Sequence, residues 1–201
     1  MNVALFDYGA GNLHSLGKAL EGAGATVTVT GDWDTILRMD ALVLPGVGAF
    51  GAAAATLPPD RSALRQALAE GLPCLGICLG MQLLFDESEE SSGVGIGLIA
   101  GAVRRMDAPT VPQMGWNDVE TGTDPLFWGA TPLVAYYANS YVCVPTDPGD
   151  AIAWSEYGGL RFAAAVRRGQ AWGVQFHPEK SSGPGRRLIA NWVALARGKT
   201  P

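Results

Sequence analysis

Three residue types in this chain could together do nucleophilic chemistry: a cysteine flanked by glycines, a histidine, and a carboxylate two residues beyond it. Cys78 stands in the stretch PCLGICLGMQ, residues 73–82, between Gly76 and Gly80 and at the end of a short apolar run. A strand that ends in G-x-C-x-G and turns directly into a helix has the logic of a nucleophile elbow. Small neighbours let the chain bend sharply and lift the thiol clear of the sheet edge. The following helix would aim its N-terminus at the thiol and favour the thiolate. The amide of Leu79 would be free to donate to a developing oxyanion. The plainer reading is a small buried residue, as free cysteines usually are. Cys74 and Cys143, inside strand-like runs without turn chemistry, take that plainer reading.

A nucleophilic cysteine needs a base, and the chain has only two histidines. His14 falls in a helical stretch on a face with Lys18 and reads as a solvent or interface residue. His177 ends the apolar run AWGVQF and is followed by Pro178 and Glu179. Proline biases the residue before it toward extended geometry. In an extended segment residues i and i+2 share a face, so His177 and Glu179 are expected to point the same way. The carboxylate would then hold one ring nitrogen and leave the other for the thiol. Taken alone, this stretch could equally be a surface turn with solvated charges.

Two other patterns carry less. PGVGAFG, residues 45–51, is formally G-x-G-x-x-G after a strand, with Glu70 about twenty residues on, which resembles a dinucleotide fingerprint. The context is wrong, because the motif follows the third strand and Glu70 sits near the end of a helix. A flexible loop beside the elbow, whose amides can turn toward an oxyanion, is the better use. Metal binding is weak, since Cys74 and Cys78 share no helix face and no second ligand pair follows.

These groups need elements to place them. The first half alternates strand-like and helix-like runs: 3–7, helix 12–24, 26–30, 41–45, helix 61–71, 74–77, then the helical-looking LGMQLLFDES. That alternation points to βαβ units and a parallel sheet. The second half reads as β-like runs, MGWNDVET, LVAYYANSYVCV, AIAWSE, LRFAAAVRRG and AWGVQF, closed by a helix over roughly 185 to 197. The expected fold is α/β, a mostly parallel central sheet with helices on both faces and an additional antiparallel β section, in one domain spanning 1–201. A hydrophobic content of 48% against 16% charged residues is enough for a substantial core. A net charge of −5 argues against nucleic acid as the main partner. Two charge-free stretches, 41–59 and 125–146, are broken by proline and do not read as membrane spans. Three cysteines and a start without a basic n-region fit a reduced, cytoplasmic setting and a soluble protein.

In the order PGVGAFG, GICLGMQ, HPE, the motifs resemble the class I, triad-type glutamine amidotransferases over essentially the whole chain. FDYGAGNLHS (6–15), MGWNDV (114–119) and HPEKS (177–181) narrow the likeness to the glutaminase subunits of imidazole glycerol phosphate synthases. The resemblance implies glutamine hydrolysis by Cys78, His177 and Glu179, with no cofactor and no metal. It implies an oxyanion hole from the amides of Leu79 and Val47, the latter after a peptide rearrangement in the Gly46–Gly48 loop. Glutamine would be held by Gln82, the Gly48 backbone, and Ser140 with Tyr141. The implied partner is a separate (β/α)₈-barrel cyclase, forming a heterodimer. It would receive the ammonia and make imidazole glycerol phosphate and aminoimidazole carboxamide ribotide for histidine biosynthesis. By position, Asn12, Trp116, Asn117, Tyr136 and Lys180 would lie at or near that interface.

Gln113 and Asn139 depart from the pattern, standing where the family often has histidine. They put in doubt coupling between the two active sites and leave the triad intact. Rival readings are the glutaminase subunit of pyridoxal phosphate synthase, a binding subunit without activity, and a free-standing cysteine hydrolase. The D-Y-G-x-G-N and M-G-W-N segments argue against the first, and the intact triad against the second. The third predicts full turnover without any partner.

Overall fold

The computed structural model describes residues 1–9 and 13–201. Strands β1 (Asn2–Phe6), β2 (Thr26–Thr30), β3 (Ala41–Leu44) and β4 (Cys74–Ile77) alternate with α1 (Leu13–Gly22), α2 (Trp33–Ile36), α3 (Phe50–Ala55) and α4 (Ser62–Ala69). The short helix α5 (Leu79–Leu83) follows β4 directly. Then come β5 (Glu87–Ser88), β6 (Gly101–Arg105), β7 (Gln113–Thr121), β8 (Leu133–Asn139), β9 (Tyr141–Pro145), β10 (Ala151–Tyr157), β11 (Leu160–Arg168), β12 (Ala171–Val174) and α6 (Ser182–Ala196).

One nine-stranded sheet, in the order β2-β1-β3-β4-β12-β11-β10-β7-β8, carries the molecule. From β2 to β12 every pairing is parallel, and from β12 onward every pairing is antiparallel. The antiparallel section is thus continuous with the parallel one. β5, β6 and β9 form a second, small sheet. Successive strand residues point to opposite faces, and the core divides accordingly. Val3, Leu5, Val43, Leu75 and Ile77 pack with Leu16 and Leu20 of α1 and Leu188 and Trp192 of α6. Ala4, Phe6, Leu42, Leu44 and Cys74 pack on the other face with Phe50, Leu64, Leu68 and Met81 of α3, α4 and α5. Burial on both faces explains why β3, β4 and β12 read as unbroken apolar runs.

Several boundaries differ from the sequence reading. LVAYYANSYVCV is two strands: β8 stays in the large sheet while β9 pairs with β6, and Ser140 marks the switch. The helix in LGMQLLFDES stops at Leu83. The segment 95–99 folds back, and Ile96 donates to the Leu83 carbonyl while Leu98 and Ile99 donate to Leu84. Those carbonyls would otherwise have continued the helix. Phe50 and Gly51, read as the end of a loop over 45–51, open the helix α3. Its first amides are already bonded, Phe50 to Glu90 Oε2 at 2.6 Å and Gly51 to Ser91 Oγ at 2.8 Å. A phosphate would have to displace both, which accords with setting aside the dinucleotide pattern.

Candidate active site

β3, β4 and β12 lie side by side and parallel, with Leu44 opposite Gly76 and Val174 opposite Ile77. Their C-terminal ends therefore fall on one edge of the sheet, where such folds put their ligand crevices. The loop after β3 starts at Pro45, the residue after β4 is Cys78, and the chain after β12 reaches His177. Topology alone brings the three motifs together.

Cys78 caps α5 with φ 48 and ψ −103, a left-handed conformation that a residue with a Cβ holds only when its surroundings over-determine it. They do so here. Its amide donates to the Val174 carbonyl at 2.7 Å, and its carbonyl accepts from Gln82 N at 3.1 Å. A Cβ on Gly76 would come within 2.5 Å of the Gly80 carbonyl, and one on Gly80 would collide with the Leu44 carbonyl. Both glycines are thus required by close backbone approach at the bend.

His177 is 2% exposed. Its amide donates to the Tyr136 carbonyl at 2.8 Å, and its carbonyl accepts from Ser181 Oγ at 2.6 Å. Nδ1 lies 2.8 Å from Glu179 Oε1. The imidazole and the Cys78 side chain line the same cleft, and the two influence each other electrostatically. The expected His–Glu pairing is present, but not on an extended strand: Pro178–Lys180 is a 3₁₀ turn. Proline opens that turn at the position where a missing N–H costs nothing, and the turn swings Glu179 back under the ring.

A cleft of about 250 Å³ opens over these groups. Gly46, Val47, Gly48, Cys78, Leu79 and Gln82 line it, together with Ser140, Tyr141, His177 and Lys180. Every residue assigned from sequence to the oxyanion hole or to glutamine thus lines it. A larger cleft of about 610 Å³ lies elsewhere, among Glu120, Asp124, Arg161 and Arg167. Its charges are already spent on one another, Arg161 on Glu120 at 2.7 Å and Arg167 on Asp124 at 2.9 Å.

The family model for class I glutamine amidotransferases matches residues 4–195. The chain is 43% identical to the imidazole glycerol phosphate synthase subunit HisH of Gloeothece citriformis (strain PCC 7424), covering 98% of this chain and 97% of that one. It is 47% identical to the protein of the same name from Methylococcus capsulatus (strain ATCC 33009 / NCIMB 11132 / Bath), covering 96% and 95%. The chain belongs to the class I glutamine amidotransferases. A crystal structure of a glutamine amidotransferase shares the fold at 20% identity, with a TM-score of 0.77 over 97% of this chain and 98% of that one.

Two polar groups of this amidotransferase site escaped the sequence reading. Gln175, fully buried, donates from Nε2 to Cys78 Sγ at 3.5 Å. The i, i+2 alternation used to join His177 to Glu179 could have found it, one step earlier in the same run. Glu90 is the one carboxylate lining the cleft. Nothing local marks it, because it arrives from the loop that crosses α3. Burial pushes the thiols of Cys74 and Cys143 far above their ordinary range, which suits their reading as core residues. Among the described residues no cluster of three metal-ligating side chains occurs, and no helix is long and apolar enough to cross a membrane.

The residues expected near a partner divide. Trp116 and Tyr136 face each other across β7 and β8, centroids 6.1 Å apart, and Lys180 Nζ lies 5.6 Å over the Tyr136 ring. Asn117 points to the opposite face of β7, where its Nδ2 donates to the Glu156 carbonyl. Asn12 lies outside the described residues. Gln113 and Asn139 are buried cross-strand partners, and Asn139 Nδ2 donates to the Tyr141 carbonyl at 3.0 Å. That bond spans Ser140, where the chain passes from β8 to β9 beside the cleft.

Proposed function

We propose that this chain is the glutaminase subunit of an imidazole glycerol phosphate synthase. It hydrolyses glutamine and delivers the ammonia to a (β/α)₈-barrel cyclase. The reading is carried by the cysteine in a strained elbow, sharing one cleft with a buried histidine that a glutamate braces from behind. Likeness to the synthase subunits named above supports the choice of pathway.

In the reaction, Cys78 Sγ attacks the side-chain amide carbon of glutamine, and the C=O electron pair moves onto oxygen. The Leu79 amide, first in α5 and without an intrahelical acceptor, receives that charge, with the Val47 amide as second donor. Each such donor contributes roughly 3–4 kcal/mol to lowering the barrier. The His177 imidazolium protonates the nitrogen, and ammonia leaves as the C–N bond breaks. His177 then takes a proton from water, which attacks the thioester; glutamate departs and the thiolate is restored. Gln82, Gly48, Ser140 and Tyr141 hold the amino-acid end, and Glu90 supplies the anion its ammonium group needs. No cofactor takes part.

The outer face of β7 and β8 beside the cleft is apolar and exposed at Met114, Trp116 and Val134. A patch of this kind fits a partner that covers the mouth and takes up ammonia. A cytoplasmic setting fits three free cysteines. Glutamate release should be measured for the chain alone and mixed with the cyclase and its ribotide substrate, with Cys78→Ala as control. Release that is strong only in the mixture and lost in Cys78→Ala is the expected result. Equal release with and without the barrel would sink the assignment to this synthase.

A further inference from the structure

Tyr8, just past the end of β1, has its hydroxyl fully engaged. It donates to the Pro45 carbonyl at 2.9 Å and accepts from the Val47 amide at 3.1 Å. The ring lies beside Phe6, centroids 5.7 Å apart, and Phe6 lies 4.5 Å from Trp33. Trp33 is itself tied down by its indole N–H, which donates to the Thr56 carbonyl. An aromatic stack therefore presents the hydroxyl in one place. Burial pushes the phenol well above its ordinary range, with the Val47 hydrogen bond pulling the other way. It keeps its proton, and hence both bonds, at neutral pH.

The loop that Tyr8 grips lies against the reacting groups. A Cβ on Gly46 would stand 3.1 Å from Cys78 Cβ, 3.0 Å from His177 Cε1 and 2.8 Å from the Ile77 carbonyl. Val47 is the next residue, and its N–H is the second oxyanion donor proposed above. A peptide N–H serves one acceptor well. While the Val47 amide is bonded to Tyr8 it is withheld from an oxyanion on glutamine.

We infer that Tyr8 is a positioning residue whose hydroxyl latches the Val47 amide out of the catalytic site, so that turnover by this chain depends on release of that latch. The inference rests on the reading of Val47 as an oxyanion donor. The latch works as a population effect: the hydroxyl stabilises the withheld orientation, and its loss shifts the loop toward the donating one.

Tyr8→Phe removes the hydroxyl and keeps the ring. In the full chain without its partner, kcat for glutamate release should rise roughly three- to tenfold, the worth of one ordinary hydrogen bond. KM for glutamine should stay the same. The rate of Cys78 alkylation by iodoacetamide should also stay the same, because that displacement builds no oxyanion. An unchanged or lower kcat overturns the latch, and so does a rise matched by faster alkylation. Val47→Pro, which has no N–H, separates the latch from the reading beneath it. If its turnover in the cyclase complex equals wild type, the oxyanion role of Val47 fails and the latch with it. If turnover there falls while alkylation holds, and the Tyr8→Phe gain disappears in the double variant, both stand. The Tyr8→Phe split between turnover and alkylation decides the latch even if the proline variant does not fold.

Discussion

His177 is under opposed influences. Burial, the largest, disfavours its charged form; the Cys78 side chain, the hydrogen bond to Glu179 and the charges of both favour it and prevail, setting the imidazole at about 9. A histidine raised from 6.5 is cationic at neutral pH and ready to protonate a leaving amine. Removing one of its partners should reverse the shift. In Cys78→Ala the His177 ring should titrate below its wild-type value, moving back toward 6.5, read from its imidazole proton resonances against pH. The sign carries over to stability. Because the folded value lies above the unfolded one, the stabilisation is fully present below about 6.5 and is lost as pH rises through about 9. Wild type should therefore lose melting temperature relative to Cys78→Ala across that window. Glu179 acts through the ring it braces at 2.8 Å. Glu179→Gln should keep KM within a few-fold and lower kcat by between about 10² and 10⁴, as loss of the orienting carboxylate does in comparable triads. Steady-state glutamate release in the cyclase complex measures it.

At the scale of elements, the site is a product of three parallel strand ends and one forced bend. α5 can start where it does only because Gly80 lets it pass against the Leu44 carbonyl at the end of β3. Gly80→Ala places a methyl group in that backbone, which cannot yield without parting β3 from β4. The expected cost is more than about 2 kcal/mol of stability, visible as a lower urea midpoint. Asn191 does a related job on the opposite face. Buried in α6, it donates from Nδ2 to the carbonyls of Leu126 and Trp128 at 2.9 and 2.7 Å. Asn191→Leu leaves both carbonyls short of a donor and should cost roughly 1–3 kcal/mol, measured the same way.

The molecule as a whole presents its chemistry beside an open apolar face. Trp116 is 55% exposed and stands edge-on to Tyr136, next to the lysine at the cleft mouth. An aromatic side chain left in water, flanked by Met114 and Val134, is the usual make-up of an interface hot spot. Trp116→Ala should weaken association with the proposed cyclase partner by about tenfold or more. It should leave the melting temperature of the isolated chain nearly unchanged, since this ring supports no core. Titration calorimetry with the barrel and a thermal melt of the chain alone give the two readings.

What could be read from sequence depended on interactions that are local. β2 and β4 have the boundaries that the sequence suggested, β4 because burial on both faces writes itself into consecutive residues and β2 because TVTVT is a run of β-branched residues. The elbow was legible because its glycines lie within two residues of Cys78, and the His–Glu pair because two positions separate them. Even there the mechanism of pairing needed the fold, since a 3₁₀ turn and not an extended strand brings Glu179 to the ring. The tertiary structure alone decided the rest. The split of LVAYYANSYVCV between two sheets is set by β6, a strand whose own sequence gave no notice. Glu90 enters the cleft through a bond to Phe50, and the Tyr8 hydroxyl reaches the Val47 amide across 39 residues. Contacts made over such separations leave no period in the sequence, because each partner's neighbours are chosen by its own element and not by the residue it will meet.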